Sequence, residues 1–273
     1  MLTTLEVRTT QGTMLSLPLE DISDGIILAN VKGLDPVKAT LVSSSFAQMD
    51  GTQHHSSRRE SRNIILTLEL EADYVEDTVA DLRYRMYDFF MPKSKIKLRF
   101  YTSDELIVEI EGRVETCETD IFSREPALNI SIVCNNPDFL VLDTIEVEGD
   151  TVDDDTEFTI EYPGTVETGI VFVLDVDRDL TEFTIYHRAP DDSLRTLDFA
   201  AILEAGDTVT ISTVVGSKSA TLVRGGVQSS LAYSVAAQAN WIQLEKGDNN
   251  LRVYAEGDPI PYTISYVTRY GGL

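Results

Sequence analysis

Three aspartates at alternate positions come nearest to the spacing of a metal site. Asp175, Asp177 and Asp179 have the spacing with which an EF-hand calcium loop begins. Such a loop needs glycine at its sixth position and glutamate at its twelfth, and these positions hold Leu180 and Tyr186. The pattern therefore predicts a solvated strand edge rather than a calcium site.

Histidines and carboxylates form no recognisable catalytic pattern. The three histidines, His54, His55 and His187, supply too few convergent nitrogens for a zinc site without carboxylates that the sequence does not place. A glycosidase needs two carboxyl groups about 5 to 9 Å apart, and nothing selects such a pair among 46 acidic residues. We therefore predict no catalytic residue, no metal ligand, no cofactor and no enzymatic activity.

A basic cluster stands out on this acidic chain. Arg58, Arg59 and Arg62 lie within five residues, and their planar guanidinium groups suit pairing with carboxylates. They end a long polar excursion between two apolar segments, residues 26–31 and 64–70. The excursion is too long for a tight hairpin, so we interpret it as an arm that leaves its domain. The alternative is that the charged run only makes a surface loop soluble.

Length and charge exclude several classes of protein. With 273 residues, 42% of them hydrophobic, the chain can form two domains with ordinary cores. The 46 Asp and Glu residues outnumber the 22 Lys and Arg residues, and the formal charge of −24 opposes stable binding to DNA or to anionic membranes. We find no signal peptide and no run of about 18 apolar residues, so we expect synthesis and retention in a cytoplasm. There Cys117 and Cys134 are expected to be thiols.

The first domain is predicted to span residues 1–142. Apolar residues alternate along residues 64–70, 95–101, 106–114 and 127–133, which is the period of strands with one buried face. Short strands are also predicted before the arm. We therefore expect a mainly β domain.

One amphipathic helix interrupts these strands. Asp73 is a candidate N-cap with Glu76 three residues later, and apolar residues then recur at spacings of three and four. Pro92 ends the pattern because proline lacks the amide and its ring clashes with the preceding turn. The spacing predicts a helix over residues 74–90 with strands packed around it.

An acidic stretch separates this domain from the next. Residues 143–161 contain nine acidic residues and no basic one, which favours an exposed linker that runs into the first strand of a second domain. In residues 162–273 the one weak helical pattern is residues 197–204. Turns separate seven strand-like runs, as in an antiparallel β-sandwich. The runs are residues 169–176, 182–188, 208–215, 219–224, 241–244, 251–255 and 262–268.

Several short motifs resemble those of a known family. Their order and spacing along nearly the whole chain are similar to those of the distal tail (Dit) proteins of long-tailed, siphovirus-type bacteriophages. The motifs are Gly33-Leu34, Asp50-Gly51, the arginines of the arm, the segment from Cys134 to Phe139, Trp241 to Leu244 with Gly247 and Asn249, and Tyr266 with residues 270–273. Position 136 is Asn where the family pattern has Asp.

The resemblance implies a fold, a role and partners. It implies a ring-forming N-terminal β-sandwich-like domain with one helix, followed by a galectin-like antiparallel β-sandwich. It also implies a structural hub that forms a homohexameric ring, joins the tail tube to the tail tip and the receptor-binding apparatus, and lets DNA pass. The implied partners are the tail tube, tail-tip and tape measure proteins and a receptor-binding protein. The protein would be assembled in the host cytoplasm and reside in the virion, at the tail tip.

In such a ring we expect the arm to contact the ring neighbour or the next tail protein. A head-to-tail ring needs two different surfaces on each subunit, and an arm supplies one of them. Its arginines offer charged contacts, and its apolar side chains offer anchors. The predicted interface residues are Phe46, Met49, Asp50, Gly51, Arg58, Arg59 and Arg62.

Two other functions remain open from the residues alone. A β-sandwich can bind glycans through exposed aromatic side chains, so the second domain could be an adhesion module. Trp241 is the single tryptophan, and its place in an apolar run favours a core or half-buried position instead. The third possibility is a β-sandwich polysaccharide hydrolase, for which the sequence holds no signature.

Overall fold

The described residues contain β-strands and one α-helix. The structure is a computed structural model that describes residues 2–19, 24–46, 50–75, 77–120 and 126–273. They fall into two units, Met1–Leu142 with Gly271–Leu273, and Asp143–Tyr270. The first unit contains β1 (Leu2–Thr9), β2 (Met14–Pro18), β3 (Ile26–Lys32), β4 (Ala39–Ser44), β5 (Gln53–Arg59), β6 (Arg62–Leu70), α1 (Val79–Phe90), β7 (Lys95–Thr102), β8 (Ile107–Thr119), β9 (Ala127–Cys134) and the start of β10 (Phe139–Asp150).

The strands of the first unit pair antiparallel around β8. The order β2-β1-β7-β8 lies on one side, and β9, β6 and β3 continue from β8. Residues 107–113 of β8 pair with β7, whereas residues 113–119 pair with β9. The start of β10 also pairs with β8, through Leu140 and Val141. Within the described ranges, strands β4 and β5 pair only with each other.

Alternation along the strands gives this unit its core. In β6, Ile64, Leu66 and Leu68 are buried, while Ile65 between them lies half-buried on the other face. Each fully buried aliphatic side chain contributes about 1.5–3 kcal/mol. Helix α1 contacts β1, β6 and β8. Its buried residues are Leu82, Met86 and Phe90.

The helix begins later than the sequence predicts. Thr78 is the N-cap: its hydroxyl oxygen accepts a hydrogen bond from the Asp81 amide, and the Asp81 carboxylate accepts one from the Thr78 amide at 3.0 Å. Tyr74 has a φ of 59°, outside the helical region. The predicted cap, Asp73, instead accepts hydrogen bonds from nearby backbone amides in a local turn. Glu76, its expected partner, lies outside the described residues.

The second unit is an antiparallel β-sandwich. One sheet has the order β18-β17-β16-β13-β21-β10, the other β11-β20-β14-β15, and β12 and β19 form a short pair. The strands are β11 (Phe158–Tyr162), β12 (Thr168–Gly169), β13 (Val171–Asp175), β14 (Leu180–Arg188), β15 (Leu194–Leu203), β16 (Thr208–Ser212), β17 (Ser219–Arg224), β18 (Val227–Ser230), β19 (Gln243–Leu244), β20 (Gly247–Tyr254) and β21 (Pro261–Tyr270).

Aromatic side chains from both sheets meet in the core of this sandwich. Phe172 of β13 lies 5.7 Å from Phe183 of β14 and 5.5 Å from Tyr262 of β21, measured between ring centroids. Phe183 stacks on Phe199 of β15 at 4.8 Å. Such ring pairs add about 0.5–1.5 kcal/mol each beyond the area that they bury. The predicted mainly β fold, with one helix and an antiparallel sandwich, is confirmed.

Two further segments differ from their predicted structure. Residues 197–204, which carry a weak helical pattern, lie mostly in β15, because Leu197 and Phe199 pair with β14 and bury their side chains. The acidic stretch of residues 143–161 is largely strand, since it includes the end of β10 and most of β11. Its carboxylates remain exposed, so the charge that favours a linker is accommodated on a strand surface.

The described ranges contain none of the features of a membrane span or a metal centre. No helix there has the length and apolar character needed to cross a bilayer. No three His, Cys, Asp or Glu side chains in those ranges come together as metal ligands would. Cys117 and Cys134 are free thiols. Burial raises the pKa of the Cys134 thiol to about 11, which makes it unreactive at neutral pH.

We expect the second unit to lose stability as the pH falls below about 6.5, because His187 is buried and uncharged. Its Nε2 lies 3.0 Å from the Asn249 side-chain oxygen, and its Nδ1 has no hydrogen-bond partner among the described residues. Burial lowers the pKa of His187 below 6.5, although the Asn249 hydrogen bond opposes the shift. The unfolded chain therefore takes up a proton at higher pH than the folded chain does, and stability is complete only above the unfolded pKa.

Thermal unfolding between about pH 7.5 and 5.5 measures this effect. The variant His187→Gln should show a smaller decrease of the second unit's melting temperature over that range. Its control is His54→Gln, on an exposed strand of the first unit, which should leave the decrease unchanged. Equal decreases in the unaltered protein and in His187→Gln would contradict the assignment.

Candidate functional site: the hairpin arm and its arginine anchor

The polar excursion between β3 and β6 contains a β-hairpin. Strands β4 and β5 pair antiparallel from Ala39↔Arg59 to Ser44↔Gln53, with a β-bulge between Val42 and Ser43. We call residues 39–59 the hairpin arm. The arm forms a two-stranded sheet of its own, outside the larger sheet of the unit. The predicted arm is therefore a β-ribbon rather than an irregular loop.

The hairpin arm exposes both its strand edges and its side chains. Every residue of β5 is exposed, and Leu41, Val42 and Phe46 have exposures of 67%, 49% and 52%. Neither strand has a second partner strand among the described residues. An isolated two-stranded hairpin is marginally stable in water, and open edges invite pairing with another chain. These are the properties of a segment that another molecule covers.

Arg62, just after the arm, is buried at the arm's base. Its exposure is 1%, and backbone carbonyls of three separate chain segments surround its guanidinium. Nε donates to Pro137 O at 2.8 Å, and Nη2 donates to Gly271 O at 2.6 Å. Nη1 donates to Gly33 O at 2.5 Å and to Asp35 O at 2.7 Å. The expectation that Arg62 faces a neighbouring subunit is therefore corrected, because its donors are used inside its own unit.

Phe139 completes the surroundings of this charge. The Arg62 guanidinium carbon lies 4.4 Å from the centre of the Phe139 ring, which is itself buried against Phe100. Burial lowers the pKa of Arg62, while the carboxylate of Asp138 acts in the opposite direction. An arginine nevertheless stays charged at neutral pH. A charge is held here because hydrogen bonds, a ring face and a nearby carboxylate replace water.

Arg59 ties the last residue of β5 to the same region. Its two terminal nitrogens contact the two carboxylate oxygens of Asp138, with Nη2 3.1 Å from Oδ2 and Nη1 paired with Oδ1. Asp138 has an exposure of 4%. A bidentate pair of this kind fixes orientation as well as distance. Arg59, Arg62 and Asp138 together are called the arginine anchor below.

Two glycines allow the segments around the anchor to approach closely. Gly33 has a φ of +89°, and a Cβ there would lie 2.1 Å from Asn63 O. A Cβ on Gly272 would lie 2.7 Å from Cδ of Pro36. The next amide, that of Leu273, donates to the Leu34 carbonyl at 3.0 Å. Residues larger than glycine would push the chain away from the anchor.

The predicted interface residues separate into three groups. Phe46, Asp50, Gly51 and Arg58 lie exposed on the hairpin arm, and Arg58 makes no ion pair among the described residues. Arg59 and Arg62 belong to the anchor, and Met49 lies outside the described residues. The sequence interpretation missed the role of Asp138 and the burial of Arg62. A signal for the latter was present, because Arg62 has the same parity as Ile64, Leu66 and Leu68 in β6 and so points to the buried face.

His55 and Trp241, candidates in the sequence for metal or glycan binding, have contacts within their own units. His55 Nε2 lies 2.6 Å from the Ser44 hydroxyl on the arm. Trp241 is half-buried against the core of the second unit, with the Lys218 ammonium 5.5 Å from its ring centre. This position agrees with the packing role expected from its apolar surroundings.

Replacing Arg62 should destabilise the first unit strongly. In Arg62→Met the side chain keeps a similar length, but four carbonyl oxygens lose their donor and Asp138 loses a nearby positive charge. We expect a loss of about 3–5 kcal/mol in the free energy of unfolding, measured by chemical denaturation. The matched control is Arg58→Met on the exposed arm, which should change stability by about 0.5 kcal/mol or less. A stable Arg62→Met protein would show that the anchor is not structural.

Comparison with known proteins connects this arrangement to a family. Residues 163–270 match the family model described as a siphovirus-type tail component, C-terminal domain. The search of curated proteins finds no match. The crystal structure of the Dit protein of phage SPP1, described as a paradigm of the hub adsorption apparatus in phages that infect Gram-positive bacteria, is similar with a TM-score of 0.66. The identity is 16%, and the similarity covers 97% of this chain and 98% of that chain.

A second similarity is weaker. A chain of the phage P2 baseplate in its activated conformation gives a TM-score of 0.45 and 10% identity over 100% of both chains, and we base no argument on it. The SPP1 similarity is one of fold, and it extends over both units. The family-model match is one of sequence, and it lies in the second unit. Both findings agree with the resemblance that the motifs indicate: residues 163–270 match the C-terminal domain of siphovirus-type tail components, and the chain has the fold of SPP1 Dit.

Proposed function

We propose that this protein is a structural hub of the phage tail tip and that six copies form a ring through the hairpin arm. The ring would join the tail tube to the tail tip and let DNA pass through its channel. The observation that carries the proposal is an exposed two-stranded arm that is held at its base by a buried arginine anchor. We base the hub role on SPP1 Dit, which is described as a paradigm of the hub adsorption apparatus and whose fold this chain shares.

The arm and the body of the subunit offer different surfaces, as a head-to-tail ring requires. Arg58 is an exposed cation of the arm without an ion pair among the described residues, and the chain that would receive it carries 46 acidic residues against 22 basic ones. Exposed ion pairs contribute at most about 1 kcal/mol each. Burial of Leu41, Val42 and Phe46 would contribute about 1.5–3 kcal/mol for each side chain. The apolar residues, with Met49, are therefore the proposed anchors, while Asp50, Gly51 and Arg58 set the register.

The other partners follow from a place at the end of the tail tube. A ring there has the tail tube protein on one face and a tail-tip protein on the other, with the tape measure protein in its channel during assembly. A receptor-binding protein would attach on the outside. The protein would be built into the virion in the host cytoplasm, with a structural and non-catalytic role.

The acidic composition suits a channel that DNA crosses without binding. The first 143 residues contain 24 acidic and 14 basic residues, and the remainder contains 22 and 8. A negative potential repels phosphate groups, so a duplex can slide past a wall that offers it few cationic contacts. Neither part of the chain has the basic excess that nonspecific DNA binding requires.

Shortening the arm should abolish the ring and leave the subunit folded. We would replace residues 41–57 with a short Gly-Ser turn, which retains the Thr40↔Arg58 pair and Arg59. The arm buries little in its own unit, so the melting temperature should stay within a few degrees of the unaltered value. Mass measurement in solution should give a hexamer for the unaltered protein and a monomer for the variant.

The control for this experiment is Ile202→Ser, which removes an equally exposed apolar side chain from the second unit. It should assemble normally. If the shortened protein still forms hexamers and supports tail assembly, the ring is held together elsewhere and the role proposed for the arm is wrong.

We also expect no measurable binding to double-stranded DNA at about 0.15 M salt. Fluorescence anisotropy with a labelled duplex measures this. A micromolar complex that weakens as salt is added would contradict the expectation, since that dependence reports contacts to phosphate groups.

A further inference from the structure

We propose that the Arg59–Asp138 ion pair sets the direction in which the hairpin arm projects, so that both are positioning residues of the assembly surface. The proposal rests on the function proposed above, because it assigns the arm to assembly. It goes further by naming what holds the arm in a binding-ready orientation before a partner arrives.

Side-chain contacts between the hairpin arm and the body of the first unit converge on one point. Of the hydrogen bonds and ion pairs made by the arm's described residues, those that reach the body come from Arg59. Others stay within the arm or next to it, such as that between Ser44 and His55 and that from Thr40 to Glu60. Among the described residues, we identify no other side-chain hydrogen bond or ion pair that joins the arm to the body, and the chain connects the two at residues 38 and 60.

The position of Arg59 gives the ion pair control over direction. Arg59 is the last residue of β5 and pairs across the hairpin with Ala39, the first residue of β4. It therefore lies at the root of the arm, where a small rotation moves the far end furthest. Two parallel contacts to one carboxylate restrict that rotation, whereas a single contact would leave a pivot.

Asp138 is suited to be the fixed side of the pair. The residues on either side of it belong to the surroundings of Arg62, since Pro137 O accepts from the Arg62 guanidinium and the Phe139 ring lies beneath it. The Asp138 amide also donates to the Asn136 side chain at 3.3 Å. A nearly buried carboxylate that loses a bidentate cation loses two of the hydrogen bonds that replace its hydration, and this costs free energy. Movement of the arm away from Asp138 is therefore opposed.

An arm held in this way meets its partner with little conformational freedom left to lose. Pre-organisation of this kind strengthens association without any new contact. Weakening the ion pair should therefore weaken assembly even though no arm residue that touches the partner has changed. The same change should widen the range of arm positions in the isolated subunit.

The test variant is Arg59→Lys, which keeps the charge and removes the two-point fork. Its matched control is Arg58→Lys, the same replacement one residue earlier, at an exposed arginine without an ion pair among the described residues. A double variant, Arg59→Gln with Asp138→Asn, removes both charges, so no buried carboxylate is left unpaired. Thermal unfolding of each variant shows that the first unit is folded before assembly is compared.

Arm position is measured in the unassembled subunit by the distance between two spin labels. One label is placed on the arm at Ser56→Cys and the other at Gln11→Cys, in the exposed turn between β1 and β2. The native Cys117 is replaced by serine, and the buried Cys134 is left in place. We expect a single narrow distance distribution for the unaltered arm and for Arg58→Lys, and a broader one for Arg59→Lys and for the double variant.

Assembly is measured as the protein concentration at which half of the subunits are in rings. We expect this concentration to rise about tenfold for Arg59→Lys and to stay unchanged for Arg58→Lys, as loss of one charge-assisted contact implies. An unchanged distance distribution in Arg59→Lys would overturn the proposal, and so would a broader distribution with unchanged assembly. If the arm-shortened protein forms rings, the proposed function fails; if it does not and Arg59→Lys assembles normally, only the positioning role fails.

Discussion

One buried positive charge determines how the first unit closes around the base of its arm. Arg62 is surrounded by carbonyl oxygens from residues 33 and 35, from residue 137 and from residue 271, and by the ring of Phe139. Moving a guanidinium out of water costs several kcal/mol unless hydrogen bonds replace its hydration. Each of these segments must therefore stay in place for the others to be stable, and chain segments far apart in sequence are fixed at one point.

This constraint explains how the unit can carry a hairpin that has no core of its own. The arm begins four residues after Asp35 and ends three residues before Arg62, so both its connections start from fixed backbone. A two-stranded ribbon is marginal by itself, but its root here is tied to the body of the unit by the Arg59–Asp138 pair. The first unit thus combines an exposed segment, suitable for contact with another molecule, with a base at which Arg62 is buried.

Much of this fold can be predicted from residue alternation. Strands such as β6 and β21 show the two-residue period over most of their length, and that period depends only on having one buried face. The start of α1 cannot be chosen so easily, because Asp73 and Thr78 are both good N-caps and only tertiary packing selects the second. The helix prediction for residues 197–204 is wrong for a similar reason, since pairing with β14 overrides their weak helical period.

The candidate site is predictable in part. The arm and its exposed residues follow from a polar excursion between two apolar strands. The sequence does not predict that Arg58 is exposed while Arg59 and Arg62 are held at the base of the arm. This difference depends on Asp138, which lies 79 positions from Arg59 along the chain. Short motifs mark the right segments, among them Gly33-Leu34, residues 134–139 and residues 271–273. Each of these motifs contains a residue that contacts Arg62, and this shared contact can be seen only in the folded chain.

The assignment of residues 271–273 to the first unit has a consequence for biosynthesis. A ribosome makes residues 143–270, the whole of the second unit, before it reaches Gly271. Until Gly271 has been made, the Arg62 guanidinium lacks the carbonyl oxygen that accepts from its Nη2 in the folded unit. Domains usually fold as they emerge, with the N-terminal one first. Here the N-terminal unit cannot complete its interior before residue 271 has been made, so a chain truncated ahead of Gly271 carries an unfinished arm base.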